Sequence, residues 1–460
     1  VHLPVWAVDR SDLAASWGVA AGRGRRSVAS YDEDVVTMAV SAGQQALADA
    51  RLPLDDVDIV LFVTTTPVYI EGQHAPLIAA ALGLSPRLCL DLGASLRGAI
   101  DAITLGTALI RGGAARAILV TAADRRDLAP GSAHEQRSGD AAAAVVLRPD
   151  PGLLVVEAGH AEYEPAQSLW RLAGEPTTSI GDDRFVTREL LEPWLTRAVA
   201  AARSEVSDPA TTAVLVAPLP RAAASVARAG GLAPPISSPV DDEIGFTGVA
   251  AALLELPFKL AGAHAGQRVV VGAAGDGASA FVARVVAPDR LASIAAALTS
   301  RIKARKPASA GLFQRLRGQL STGRIDPSTS EVLLHRESAA SLSLLGSRCT
   351  ECSALDFPPR RVCQHCGAAD RYDREALPRT GVLYTFTTEY LFPVPTNTLV
   401  MGVVDLGEAR FYTQVADADP EECQLGAPVS LVLRRLHNGG GIPHYFWKAQ
   451  LEGHHNDART

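Results

Sequence analysis

Four cysteines carry the clearest chemistry in this 460-residue chain. Cys349 and Cys352 form one C-x-x-C pair, Cys363 and Cys366 a second, with ten residues between the pairs. Two such pairs, each in a tight turn, bring four thiolates around one ion, and zinc takes four sulfur ligands tetrahedrally. A site filled by four thiolates has no open position, so its expected role is structural. His365 lies inside the second pair and reads as a bystander. The other polar candidates are scattered. Cys89 sits in an apolar stretch, where a free thiol usually packs as a small hydrophobe. His74 and His160 are isolated imidazoles, read first as satisfied structural residues.

The elements that would position these groups fall into three parts. From residue 30 to about 285 helical and strand signals alternate. Ser30-Tyr31-Asp32-Glu33 has the form of a capping box, and Val35, Met38, Ala39, Ala42 and Ala46 follow at helical spacing. DIVLFVTTT (58–66), RLCLDLG (87–93) and RAILVTAA (116–123) read as strands, with helices over 73–83 and 97–111 between them. Such alternation predicts buried sheets with helices on both faces. Gly139-Asp140 and Gly275-Asp276 each open a strand of tiny residues, an internal echo that suggests two similar halves in close contact.

Residues 286–345 are basic and helix-prone. They read either as a solvated linker with one or two surface helices, the ordinary meaning of a charge run, or as a hold for the phosphates of a nucleotide-like cofactor. A zinc ribbon over 346–376 follows. GVLYTFTTEY, TLVMGVVDL, ARFYTQVA and PVSLVLRRL then predict a small OB-type barrel over 377–452. Residues 453–460 are expected to be a disordered tail.

Composition narrows the function. Apolar residues make up 47% of the chain, charged residues 20%, and the net charge is -7, which fits a soluble protein without a nucleic-acid or anionic-membrane partner. No apolar run is long enough to span a bilayer, and VHLPVWAVDR lacks the layout of a secretory leader. With paired thiolates suited to a reducing compartment, the expected location is cytoplasmic. Residues 378–450 hold five basic against seven acidic groups, a poor groove for single strands. The aromatics Tyr384, Phe386, Tyr390 and Phe392 are therefore expected to pack the barrel or a subunit interface.

Ser27-Val28-Ala29-Ser30-Tyr31-Asp32-Glu33-Asp34 followed by Thr37-Met38-Ala39-Val40 resembles the early signature of hydroxymethylglutaryl-CoA synthases. Thr64-Thr65-Thr66-Pro67 and the Gly-Asp strand entries are similar to ketoacyl-ACP synthase III proteins. The cysteine quartet, Phe357-Pro358-Pro359-Arg360 and Gly426-x-Pro428-Val429 resemble zinc-ribbon/OB-fold proteins that accompany thiolases. Together these imply a duplicated, layered α-β-α thiolase-like domain over 1–285, an acyl-CoA or acyl carrier protein ligand, and a structural zinc. They also imply a homodimer, or a heteromer with a thiolase-like catalytic subunit.

The family's Cys–His–Asn set does not carry over. In Asp91-Leu92-Gly93-Ala94-Ser95-Leu96-Arg97-Gly98, Leu96 takes the cysteine slot, or Ser95 with a shift of one. The histidine region reads Val214-Leu215-Val216-Ala217-Pro218-Leu219-Pro220. Phe246 fills the asparagine slot of Gly245-Phe246-Thr247-Gly248. Ser95 and Arg97 remain candidates for contact with the thioester or its phosphates, against the plainer reading of a cap and a surface charge. The resemblance thus implies a condensing-enzyme-like subunit without a nucleophile, or alternatively an active acyltransferase or aldolase with a non-standard site.

Overall fold

The structure is a computed structural model that describes residues 1–208, 210–232, 238–320, 323 and 329–452. The tail expected over 453–460 lies outside the described residues. Strands β1 (Trp6–Asp9) and β2 (Arg25–Val28) form an antiparallel pair. Helix α1 (Val35–Ala50) starts later than the sequence motif implies: Asp34, not Ser30, is the cap, accepting from Val36 and Thr37 while Thr37 Oγ1 accepts from Asp34 N. Ser30 N still donates to Glu33 Oε2, but in the turn before the helix.

The first half is built on β3 (Ile59–Thr64), fully buried and rich in branched residues. It pairs in parallel with β4 (Leu88–Gly93) and β5 (Ile118–Asp124), connected through α2 (Ala75–Leu82) and α3 (Gly98–Arg111). The antiparallel β6 (Ala141–Leu147) completes the order β4-β3-β5-β6. In the second half β7 (Leu154–Glu162), β8 (Thr212–Val216), β9 (Arg268–Ala274) and β10 (Ala278–Val285) lie in the order β8-β9-β10-β7, with α4 (Glu192–Ser204) and α5 (Ala251–Lys259) on opposite faces.

The echo in the sequence is a structural repeat. Both Gly-Asp turns lead into a strand, β6 or β10, antiparallel to the strand before it. Ile100 and Ile103 of α3 and Leu253 and Leu256 of α5 share one apolar cluster with Leu61 and Val271 of the two sheets. Helices therefore fill the space between the sheets, and the layers run α-β-α-β-α. Glycine allows the closest approach between halves: a Cβ on Gly275 would meet Leu96 Cβ at 2.8 Å.

The segment after β10 differs from a solvated linker. Helix α6 (Pro288–Ala304) buries Leu291, Ala295, Leu298 and Ile302, and β11 (Lys306–Ala308) pairs in parallel with β1. Two of its arginines are drawn inward. Arg305 donates to Glu243 O, and Arg317 bridges Asp127 and Asp140. These guanidiniums pair with carboxylates of the first domain, among them the fully buried Asp140, which a charge count along the sequence does not reveal.

The ribbon consists of β12 (Leu345–Cys349), β13 (Leu355–Asp356) and β14 (Tyr372–Ala376). Beyond it β15 (Thr380–Glu389), β16 (Leu399–Asp405), β17 (Arg410–Val415), β18 (Pro428–Gly439) and β19 (Ile442–Leu451) close a barrel in the order β15-β16-β17-β19-β18. Strand β19 is the one the sequence reading lacked. Asn438-Gly439-Gly440-Gly441 marks its hairpin, with positive φ at Gly440 and Gly441. Of the four aromatics, Phe386 packs on the core, whereas Tyr384, Tyr390 and Phe392 are exposed and Arg410 lies 3.7 Å over the Tyr384 ring.

The barrel sits on α1. Val35, Met38 and Ala42 share a cluster with Leu431, Tyr445 and Trp447. Sheet on one side and barrel on the other explain why Val36, Val40 and Gly43 are buried too, so that α1 is buried on every side from Val35 to Gly43. No helix among the described residues is long and apolar enough to cross a membrane.

Candidate functional site

A cavity of about 660 Å³ opens at the C-terminal ends of β3 and β4, the place where parallel sheets commonly bind ligands. Its walls include Thr64 and Thr65, the loop Pro67–His74, Leu96, the Gly275-Asp276 turn and a hairpin carrying Trp170 and Arg171.

The run Thr64-Thr65-Thr66 holds one buried carboxylate. Asp124 accepts from Thr64 Oγ1 (3.0 Å), Thr65 N (2.7 Å), Thr65 Oγ1 (2.8 Å), Thr66 Oγ1 (3.2 Å) and Val249 N (3.0 Å). The last contact crosses from the other half of the domain. Five donors leave Asp124 no lone pair for acid–base work, so it fixes the wall.

Among the described residues His74 is the one imidazole lining the cavity. Its Nδ1 lies 2.6 Å from Asp91 Oδ2, and its Nε2 accepts from the amides of Val68 and Tyr69 at 3.1 Å each. This sets the Nδ1–H tautomer and occupies the other nitrogen. Asp91 also accepts from the amides of His74 and Ala75 at the start of α2. The pair shapes the loop and has no nitrogen left to take a proton.

Leu96 is buried and lines the cavity just before α3. Ser95 donates to Gly275 O at 2.9 Å, and Arg97 is engaged with Asp101 and Ser279. Both tie the start of α3 to the second half. Phe246 packs in the apolar layer between the sheets, held by backbone bonds to Arg137 and Gly139, and does not line the cavity. Cys89 is half-buried on β4, and burial together with Asp91 pushes its thiol pKa up, away from the reactive thiolate. His160 pairs with Glu162 on β7, outside the cavity.

Two cavity groups have weaker signals in the sequence. Asp276, with a left-handed φ of 50°, points its half-buried carboxylate toward Ser95, and burial raises its pKa. Arg126 is 2% exposed and is the second residue after β5. A buried arginine cannot be told from a surface one by spacing alone.

The second site is the ribbon. Its four Sγ atoms lie within 4.8 Å of one another, with Cys349–Cys366 and Cys352–Cys363 at 3.6 Å. A zinc tetrahedron with bonds of about 2.3 Å has edges of about 3.8 Å, so the cluster fits that ion. Amides of Cys352 and Glu351 point at Cys349 and lower its thiol pKa to about 7. His365 is exposed, 3.8 Å from Asp356, and stands apart from the cluster.

A third concentration of polar groups joins the domains. Lys448 Nζ meets Asp32 Oδ2 at 2.6 Å, Arg434 pairs with Glu33 and Asp417, and Tyr445 Oη donates to Asp34 Oδ2 at 2.9 Å, all buried. The acidic run that reads as a synthase signature is thus the seat of the barrel.

Residues 336–370 match the model of the ChsH2 rubredoxin-like zinc ribbon domain, and 374–434 that of the ChsH2 C-terminal OB-fold domain. A DUF35 domain-containing scaffold protein of Methanocaldococcus jannaschii is 30% identical over 111 residues, 23% of this chain and 79% of that protein. The hydroxymethylglutaryl-CoA synthase of Aeropyrum pernix is 27% identical over 335 residues, covering 69% of this chain and 92% of the synthase. The chain is a thiolase-fold homologue of such synthases that belongs, through its C-terminal module, to the DUF35 family. A β-ketoacyl-[acyl-carrier-protein] synthase III of Streptomyces coelicolor is 37% identical over a shorter stretch of 155 residues, 32% of this chain and 44% of that synthase. Among solved structures, MvaS in complex with 3-hydroxy-3-methylglutaryl coenzyme A superposes with a TM-score of 0.60 at 20% identity, over 71% of this chain and 92% of that one. FabH from Pseudomonas aeruginosa PAO1 gives 0.55 at 24% identity, over 62% and 95%. Against these folds the DUF35 module is the added part, and α1 is where it attaches.

Proposed function

We propose that this chain holds an acyl thioester in the 660 Å³ cavity and serves as a condensing-fold subunit that lacks a nucleophile of its own. A thiolase-like partner would then supply the attacking atom. One observation carries the reading: at the cysteine slot the cavity wall is Leu96, and the nearby imidazole, His74, has both nitrogens engaged. Covalent acyl transfer needs a nucleophile and an activating base. Relatives named for CoA and acyl-carrier-protein chemistry support an acyl-CoA or acyl-ACP ligand. The DUF35 module, with a structural zinc on Cys349, Cys352, Cys363 and Cys366, supports a role in assembly.

Edge strand β4 supports self-association or pairing with a related chain. It is hydrogen-bonded on one side, to β3, and Leu88 is 40% exposed; an unprotected edge invites a further strand. Asp276 favours a second reading, an active acyltransferase or aldolase with a non-standard site, because its carboxylate lines the same cavity as Leu96, reaches toward Ser95 and has a raised pKa.

The deciding experiment incubates the purified chain with radiolabelled acyl-CoAs, alone and with thiolase-like proteins encoded beside it. Turnover that appears on mixing supports the subunit reading. Covalent labelling of the isolated chain, abolished by changing Ser95 or Cys89, overturns it.

A further inference from the structure

The junction under the barrel encloses a chamber of about 20 Å³, room for one occupant the size of a water molecule. Both domains build its walls: Ser30, Tyr31 and Asp32 come from the turn before α1, and Gln414, Asp417 and Lys448 from the barrel. Three buried oxygens of these residues have no hydrogen-bond donor among the described residues: Asp32 Oδ1, Asp417 Oδ1 and Gln414 Oε1. The other oxygen of each carboxylate is taken. Lys448 holds Asp32 Oδ2 at 2.6 Å, and Arg434 and Gln450 hold Asp417 Oδ2 at 2.7 and 3.2 Å. Ser30 faces Asp417 and favours its charge without bonding Oδ1. The Asp32 and Asp417 side chains are 3% and 1% exposed, so bulk water does not serve them, and an idle buried acceptor is costly.

The charges around the chamber do not cancel. Asp32, Glu33 and Asp417 are negative, only Arg434 and Lys448 oppose them, and these groups act chiefly on one another. Burial keeps His2, beside Glu33, neutral. Asp34 is compensated separately, by the amides at the start of α1 and by Tyr445. A water in the chamber donates two hydrogens, which leaves one acceptor idle and one negative charge unopposed. A single positive ion meets both demands, since buried charge persists when it is paired. Mg²⁺ keeps several waters and Ca²⁺ takes about six to eight oxygens, more than this space admits.

We infer that Asp32, Asp417 and Gln414 bind one alkali cation, K⁺ or Na⁺, which ties the barrel to the thiolase-like domain. The site is independent of the thioester cavity and of what that cavity holds.

The test compares thermal unfolding of the full chain in KCl, NaCl and tetramethylammonium chloride at equal ionic strength. The last cation is too large for the chamber. A buffer near about pH 8 keeps Asp417 charged, above its value of about 6. In at least one alkali salt the midpoint is expected to climb with concentration, the folded-to-unfolded ratio gaining about tenfold at about ten times the Kd. Gln414→Met removes one ligand and leaves every charge in place. It is expected to raise the alkali concentration needed for a given shift about tenfold, as the loss of one buried polar contact implies. Equal midpoints in the three salts mean an ordered water only and overturn the site. A shift of the same size at the same concentration in the native and Gln414→Met chains places the ion elsewhere and also overturns it. If Gln414→Met fails to fold, Gln414→Glu decides: the added charge is expected to tighten the alkali dependence, and an unchanged dependence overturns the site.

Discussion

The cavity beside Leu96 and the junction under the barrel bury opposite kinds of chemistry. At the first, Leu96 makes part of the wall hydrocarbon and the polar groups around it are mostly locked into the frame. At the second, Asp32, Glu33, Asp34, Asp417, Arg434 and Lys448 are ionisable groups withdrawn from water in the service of docking. Ion pairs of this kind are weak sources of net stability but make the loss of either partner expensive, because the survivor is left charged and buried. The contrast is between a cavity wall fixed mainly by neutral and hydrogen-bonded groups and a domain junction fixed by buried charges.

Four perturbations break or sharpen that contrast. The largest effect is expected from the ribbon that precedes the barrel. Chelation of zinc, or Cys363→Ser, removes a binding term of about 10 kcal/mol or more. One equivalent of metal per chain is expected by elemental analysis, and its removal is expected to expose residues 346–376 to protease while the thiolase-like layers persist. Next, Arg434→Met leaves Asp417 without its guanidinium and Glu33 with His2 alone, and is expected to cost about 3–5 kcal/mol in denaturant unfolding. A loss below about 1 kcal/mol would show that the junction is far less demanding than its burial implies.

The third concerns pH. Burial, only partly offset by Arg434 and reinforced by Glu33 and Asp32, pushes Asp417 up to about 6. A carboxyl with a raised folded pKa favours folding when protonated, so its contribution is lost as pH rises from the unfolded value near 3.8 through about 6. Glu33 runs the other way: burial opposes ionisation, but Arg434 and His2 hold it well below the usual range, and its contribution is lost as pH falls below the unfolded value. Asp417→Asn is therefore expected to flatten the fall in stability between about pH 4 and 6 by about 1–3 kcal/mol, leaving the acid limb due to Glu33. The smallest effect is Leu96→Cys, expected to cost under about 2 kcal/mol. Mass spectrometry after acyl-CoA exposure is expected to find no acylated cysteine, since His74 has no free nitrogen to activate it. Rapid acylation would restore the cavity as a catalytic site.

Much of this was legible in the residues. Strand β3 announced itself through six consecutive buried apolar or β-branched positions, the Gly-Asp turns through their repetition, and the ribbon through cysteine spacing. What escaped was set by contacts distant in the chain. Arg305 and Arg317 look like a solvated charge run until Glu243 and Asp140 are placed beside them. Asp32 and Glu33 look like the start of a helix until Lys448 and Arg434 arrive from more than 400 residues away. Arg126 follows an apolar strand and gives no periodic signal that separates a cavity wall from a surface.

The loop from Pro67 to His74 faces two ways. Val68 lines the cavity and also packs into the apolar cluster that the barrel completes, and the neighbouring Tyr69 ring lies against His74. A single turn of chain is therefore the common wall of two rooms: any force that shifts the barrel on its seat is passed through Val68 to the cavity, so the shape of that space becomes a gauge of how firmly the added module is moored.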